Sequence, residues 1–117
     1  MIKRYRLRKS GDFKAVLDSR QCLLRKDNMS VFHKKNEEGH ARIGLSVSSK
    51  LGNAVLRTRI KRQIRAQVHL LQFYDLAEDI VIILRKGYLE KSFEENLLTL
   101  KEAISHLRDR LSRREQQ

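Results

Sequence analysis

Residues 41–65 read ARIGLSVSSKLGNAVLRTRIKRQIR, and two periodicities meet in them. From Ala41 to Ser48 the residues alternate. Ala41, Ile43, Leu45 and Val47 fall on one face and Arg42, Gly44, Ser46 and Ser48 on the other, as in a strand with one side buried. At Asn53, a residue type that caps helices, the spacing changes. Leu56, Ile60, Ile64, Val68 and Leu71 then cluster on one side of a helix running to about Leu71. A second apolar stretch, EDIVIILRK at 78–86, is apolar at every central position, which fits a strand covered on both faces. Strand, amphipathic helix, buried strand: the segment predicts a helix laid on a small sheet.

The flanks extend this pattern. SGDFKAVLDS (10–19) begins with the capping types Ser10 and Asp12 and places Phe13, Val16 and Leu17 at helical spacing. NMSVFHKK (28–35) reads as a strand, and NEEGH (36–40) as a turn joining it to the strand at 41–48 in an antiparallel hairpin. Ser92 and Glu95 form a capping box opening the last helix. Along that helix Phe93, Leu97, Leu100, Ile104, Leu107 and Leu111 recur at four-three spacing. Such a stripe suits either a self-associating coiled-coil seam or packing on the sheet, and packing is the reading adopted. The expected order is α-β-β-α-β-α, an α/β (α+β) two-layer sandwich around a small central sheet.

Length and composition fit a single domain over 1–117, with residues 1–9 a basic N-terminal arm carrying Lys3, Arg4, Arg6, Arg8 and Lys9. Lys and Arg outnumber Asp and Glu by 26 to 14, a formal charge of +12. Such an excess opposes compaction and points to an anionic partner, nucleic acid before membrane. The apolar run Ile80–Leu84 is too short to cross a bilayer, and no apolar segment follows the basic start as in a secretory leader. Cys22 is the one cysteine and reads as a small half-buried hydrophobe in a reducing, cytoplasmic setting.

The charge is not spread evenly. No acid occurs between Gly39 and Tyr74, and Ser49–Arg65 holds six Lys or Arg among seventeen positions. On the helix, Lys61, Arg65, Thr58, Arg62 and His69 share one side, with Arg57 at its edge. Arg57, Lys61 and Arg65 stand at i, i+4 and i+8 with no Glu to relieve them, an arrangement that weakens a helix unless an external polyanion supplies the counter-charge. Four of the six are Arg, whose guanidinium forks bind phosphate bidentately and stack on bases.

These residues resemble the signature region of the protein component of bacterial ribonuclease P. That family's pattern is Lys, one residue, Gly-Asn-Ala-Val, one residue, Arg-Asn, two residues, Lys-Arg, two residues, Arg. Here it reads as Lys50, Gly52-Asn53-Ala54-Val55, Arg57-Thr58, Lys61-Arg62 and Arg65. The order of elements around it matches as well, over nearly the whole chain. The departures are Thr58 in place of Asn, Leu17 in place of a second aromatic, Ser49 in place of a second Lys, and RKGY (85–88) where Arg-Lys-Pro is usual.

The resemblance implies an RNA-binding protein whose large catalytic RNA, with its own Mg²⁺, removes the 5′ leader of precursor tRNA. It implies that Arg57, Thr58, Arg59, Lys61, Arg62 and Arg65 meet the catalytic RNA. Phe13, Phe32, Ser46, Ser48 and Lys50 would line the leader cleft, and Arg4, Arg6, Arg8 and Lys9 would add phosphate contacts. It also implies the rare left hand for the β-α-β crossover, against the general right-handed rule. One protein per RNA, monomeric alone and not on a membrane, completes the expectation.

The residues bear on one rival function class and on one rival within the binding class. A protein-borne nuclease needs convergent carboxylates or a His pair. His33, His40, His69 and His106 are dispersed, Glu37-Glu38 and Glu94-Glu95 point apart, and only Glu78-Asp79 could sit near a metal. A ribosomal or other structural RNA-binding protein is the nearest competitor within the binding class.

Overall fold

The structure, a computed structural model, describes residues 2–115. Its elements are α1 (Ser10–Asp18), β1 (Cys22–Arg25), β2 (Met29–Lys35), β3 (Arg42–Ser46), α2 (Ala54–Leu71), β4 (Glu78–Leu84) and α3 (Phe93–Glu115). Short 3-10 turns precede α1, α2 and α3 at Lys3–Tyr5, Ser49–Leu51 and Lys86–Glu90.

The four strands lie in the order β1-β2-β4-β3. β2 and β4 are antiparallel, β3 and β4 parallel. The expected hairpin between 28–35 and 41–48 is therefore corrected: both strands exist, but β4 inserts between them. The reason is apolar content. β4 is buried along nearly its whole length, with Ile80, Val81 and Ile82 fully enclosed, and only the sheet centre offers two covered faces. The hairpin that does form joins β2 to β1, a strand absent from the sequence reading. CLLR (22–25) is short, does not alternate, and carries a register shift between Cys22 and Leu24.

α2 and α3 cover one face of the sheet. Ile60, Ile64 and Val68 from α2 and Leu100, Ile104 and Leu107 from α3 pack with Met29, Val31, Ile43, Ile80 and Ile82. The four-three stripe of α3 thus packs on the sheet, and its central residues are not free to form a dimer seam. α2 begins with Asn53 Oδ1 accepting from Leu56 N–H at 2.9 Å, as its sequence predicted. It ends at Gln72, which turns into the left-handed region with its N–H returned to Val68 O at 3.2 Å. The capping box opens α3: Glu95 N–H donates to Ser92 Oγ, and Ser92 N–H to Glu95 Oε1, both at 3.1 Å. The Ser92 N–H first, and then the Ser92 hydroxyl, hold the Glu95 carboxyl below its usual range.

α1 lies on the opposite face. Neither Ser10 nor Asp12 caps it; Lys9 occupies the cap position without a side-chain bond. Asp12 instead faces Arg42 at 3.7 Å. Arg42 is anchored by a two-pronged bond to Asp79, Nε to Oδ1 at 2.9 Å and Nη2 to Oδ2 at 2.8 Å. That bond is the leading cause of the raised Arg42 pKa. Asp79 thereby ties β4 to β3.

Gly87 accounts for one departure from the family pattern. Its N–H donates to Asp27 O at 3.0 Å, a bond proline could not make. A Cβ there would sit 2.6 Å from the same oxygen, so the turn closes on the β1-β2 loop only with glycine.

Candidate nucleic-acid interface

On α2 the side chains sort by height above the core. Thr58, Arg59 and Arg62 are exposed, whereas Arg57, Lys61 and Arg65 lie half-buried along one flank of the apolar stripe. Arg59 points to the other flank, where it lines a groove with Tyr88 and Phe93. Among the described residues none of these basic side chains takes part in an ion pair. The repulsion read from the sequence therefore persists in the fold.

The N-terminal arm strengthens it. Arg6 bridges to Ile43 in parallel fashion, and Leu7 N–H donates to Ile43 O at 3.0 Å, so the arm adds to the outer edge of β3. Residues opposed in a ladder share a face. Arg6 thus turns toward α2, and Leu7 toward the other side, where it is buried with Val16, Phe32 and Val81. Burial first, and then the neighbouring Arg6, pushes the Arg65 pKa down. The Nε atoms of Arg6, Arg57 and Arg65 are all buried without a partner. Farther out, Tyr5 stacks on Tyr74 at 4.3 Å, and the Arg4 guanidinium lies 5.5 Å from the Tyr5 ring centre. Arg8 and Lys9 are exposed where the arm enters α1.

The second surface lies on the α1 side of the sheet and is built from rows that cross all four strands. One row runs Gly44–Val81–Phe32–Cys22, the next Ser46–Ile83–Ser30–Arg25. α1 covers the first. Phe13 rests on Gly44 so closely that any Cβ there would collide with its ring. The second row emerges beside α1: Ser46 and Arg25 are exposed, Ile83 half-buried, and Ser30 Oγ accepts from Arg85 Nε at 2.8 Å. Phe13 is half-buried and Leu17 is 37% exposed, giving this trough an apolar wall on α1.

The sequence-predicted cleft residues divide accordingly. Phe13, Ser46 and Lys50 keep accessible surface. Phe32, expected to line the cleft, is a floor residue 9% exposed, because α1 lies over its row. Ser48 is exposed, but its Oγ accepts from Lys50 N–H at 3.1 Å and shapes the turn at 49–51. Arg25 and Arg85, which the sequence reading missed, bring two guanidinium groups to the trough. Arg25 lies 5.9 Å from the centre of the Phe32 ring. Only recognition of β1 and of the cross-sheet register would have found them.

Comparison with known proteins decides what this arrangement belongs to. The family model described as Ribonuclease P matches residues 1–108. The ribonuclease P protein component of Bacillus mycoides (strain KBAB4) is 40% identical over 108 residues, 92% of this chain and 90% of that one. The chain belongs to the ribonuclease P protein family. The Staphylococcus aureus RNase P protein superposes with a TM-score of 0.78 at 34% identity, covering 88% of this chain and 94% of that one. A mutant of the Staphylococcus aureus protein, described as defective in mRNA degradation activity, superposes at 0.80 with 32% identity, over 90% and 89% of the two chains.

Function follows with membership: the chain is a protein component of ribonuclease P, an endoribonuclease that processes tRNA as a ribonucleoprotein. The parallel strands β3 and β4 are joined through α2, as the element order led one to expect. Among the described residues no three His, Cys, Asp or Glu side chains come together as a metal-holding set. Of the nuclease candidates, Asp79 is held by Arg42, and Glu78 lies against His33 at 2.7 Å. No helix among the described residues is long and apolar enough to cross a membrane.

Proposed function

We propose that the outer face of α2, extended by Arg6, anchors the catalytic RNA of ribonuclease P, while the trough beside α1 holds the 5′ leader of precursor tRNA. One observation carries this reading: two cationic surfaces lie on opposite faces of one sheet. A chain built so bridges two RNA segments rather than gripping one. Arg57, Thr58, Lys61, Arg62 and Arg65 serve the first surface, with Arg59 on its far flank. Phe13, Ser46, Lys50, Arg25 and Arg85 serve the second. Aromatic and guanidinium surfaces in a positive trough bind single strands with little sequence preference, because every base has a π-face.

The Mg²⁺ of the reaction belongs with the RNA in this reading, supported by the dispersal of the carboxylates and histidines. The protein acts in the cytoplasm as one copy per RNA and is monomeric alone, a state favoured by the burial of the α3 stripe in its own core.

The test is cleavage of 5′-labelled precursor tRNA at low Mg²⁺ by the protein, by a bacterial ribonuclease P RNA, and by both together. Cleavage at the mature 5′ end is expected only with RNA present, and faster with both. Cleavage by the protein alone would move the chemistry to the polypeptide. An mRNA substrate belongs in the same experiment, given the activity named for the Staphylococcus aureus protein. Tight RNA binding without stimulation would favour a ribosomal or other structural role.

The trough makes its own prediction. Phe13→Ala removes about 1–3 kcal/mol of stacking and weakens precursor tRNA binding relative to mature tRNA. Gly44→Ala produces the same selective loss without touching the aromatic group, because the new Cβ displaces the Phe13 ring. Equal losses for both tRNAs would remove the leader from this face.

A further inference from the structure

Between α2, the turn at Lys86–Glu90 and the start of α3 lies a groove of about 220 Å³, sharing only Arg59 with the surfaces described above. One wall is Arg59 and Gln63 of α2; the other is Leu89 and Phe93, with Tyr88 between them. The floor is polar. Tyr88 Oη donates to Gln63 Oε1 at 2.9 Å and accepts from Gln67 Nε2 at 3.4 Å. This uses the Gln63 carbonyl and leaves its Nε2 amide with no partner among the described residues. Gln67 is fully buried behind the tyrosine, with its own Oε1 unpartnered. The lip is apolar: Leu89 is 45% exposed and Phe93 half-buried.

Charge on the rim is divided. Lys91 is engaged by Asp27 at 2.9 Å, whereas Arg59 has no acid partner among the described residues. At the start of α3, the Ser92 and Glu95 N–H groups are occupied by each other's side chains.

We propose that this groove receives a single unstacked nucleotide of an RNA strand, its base lying against Phe93 and Leu89. The base edge accepts a hydrogen bond from Gln63 Nε2, and a flanking phosphate meets Arg59. Bases splayed from a strand are recognised in this way, by an aromatic face, an edge donor and a guanidinium. Ligand pockets for drug-sized molecules span about 300–1,000 Å³, so this smaller groove suits one base. An apolar peptide segment would leave both Arg59 and the Gln63 amide unmet. The proposal rests on the reading of α2 as an RNA-facing helix and adds to it a place where one base is held.

The test is an NMR titration of the isotope-labelled full chain with AMP and UMP, and separately with inorganic phosphate. Nucleotides should move the Gln63 side-chain amide and the backbone signals of Leu89 and Phe93, while phosphate moves α2 guanidinium signals and leaves these still. Phe93→Leu, which keeps an apolar side chain, should weaken the nucleotide response at least about fivefold. Gln63→Glu, which keeps an acceptor for Tyr88 but loses the donor, should do the same. Identical responses to phosphate and nucleotide, or a silent groove, would overturn the proposal. If the α2 signals still respond to ribonuclease P RNA, the groove alone is refuted; if they do not, the RNA-facing reading of α2 fails with it.

Discussion

Replacing Arg57, Lys61 and Arg65 together by Ala should weaken binding to ribonuclease P RNA about 100-fold near physiological salt, while leaving the free protein at least as stable. Each lost phosphate contact removes about 0.7–0.9 from the slope of log affinity against log salt, which is close to 0.7 log units per contact at that ionic strength. The opposite sign on stability comes from the fold. These three lie on one ridge of α2 with no acid to relieve them, and Arg65 also faces Arg6. Removing like charges at i, i+4 lifts a repulsion of a few tenths of a kcal/mol per pair. Filter binding over a salt series and a denaturant titration read the two effects. A salt slope unchanged from the parent would refute the assignment of this face. A large loss of stability would show that the three act in packing. Arg62→Ala alone, on the fully exposed side, should lower the slope by about one contact.

The legibility of the chain in its sequence follows from how local each feature is. α2, its Asn53 cap, the Ser92–Glu95 box and the α3 stripe are each set by residues within a few turns, and periodicity found them. The partner of β3 is not local. NEEGH reads as a hairpin turn, yet β4, more than thirty residues farther on, takes the central position because its side chains are apolar on both faces. The same limit applies to function. The basic face of α2 is one helix and therefore visible as one string. The trough is a row of four residues from four strands, Ser46–Ile83–Ser30–Arg25, and two of its three cations, Arg25 and Arg85, stayed hidden until the register was known. Phe32 shows the converse. Its strand was legible, but whether its face is open depends on α1, which no pattern within β2 encodes. Arg6 is similar: a basic tail in sequence becomes part of the α2 face only through its bridge to Ile43.

The largest stability effect is expected far from both RNA surfaces. Glu78 and His33 are enclosed between the sheet and the end of α3, 1% and 0% exposed. His33 Nδ1 lies 2.7 Å from Glu78 Oε1, and Arg110 Nη1 lies 3.2 Å from His33 Nε2. A guanidinium can only donate, so Nε2 accepts and the ring carries its proton on Nδ1, given to Glu78. Arg114 approaches the other carboxylate oxygen at 3.8 Å, and Arg110 Nη2 also donates to Cys22 O at 3.0 Å. This chain of contacts ties the last turns of α3 to β1, β2 and β4. Glu78→Ala leaves the buried His33 donor without its acceptor and Arg114 without its anion, a loss of about 3–5 kcal/mol. Against a total stability of about 5–15 kcal/mol, this brings the chain close to unfolding. Glu78→Gln should lose less, because its carbonyl still accepts from His33 and only the attraction to Arg114 disappears. Denaturant titration orders the three proteins, and hydrogen exchange should show protection lost first in residues 108–114. Equal, small losses in both variants would mean that apolar packing alone holds the end of α3. Because neither RNA surface includes this network, folded Glu78→Gln protein should bind ribonuclease P RNA with parental affinity and salt slope, separating what holds α3 from what α2 does.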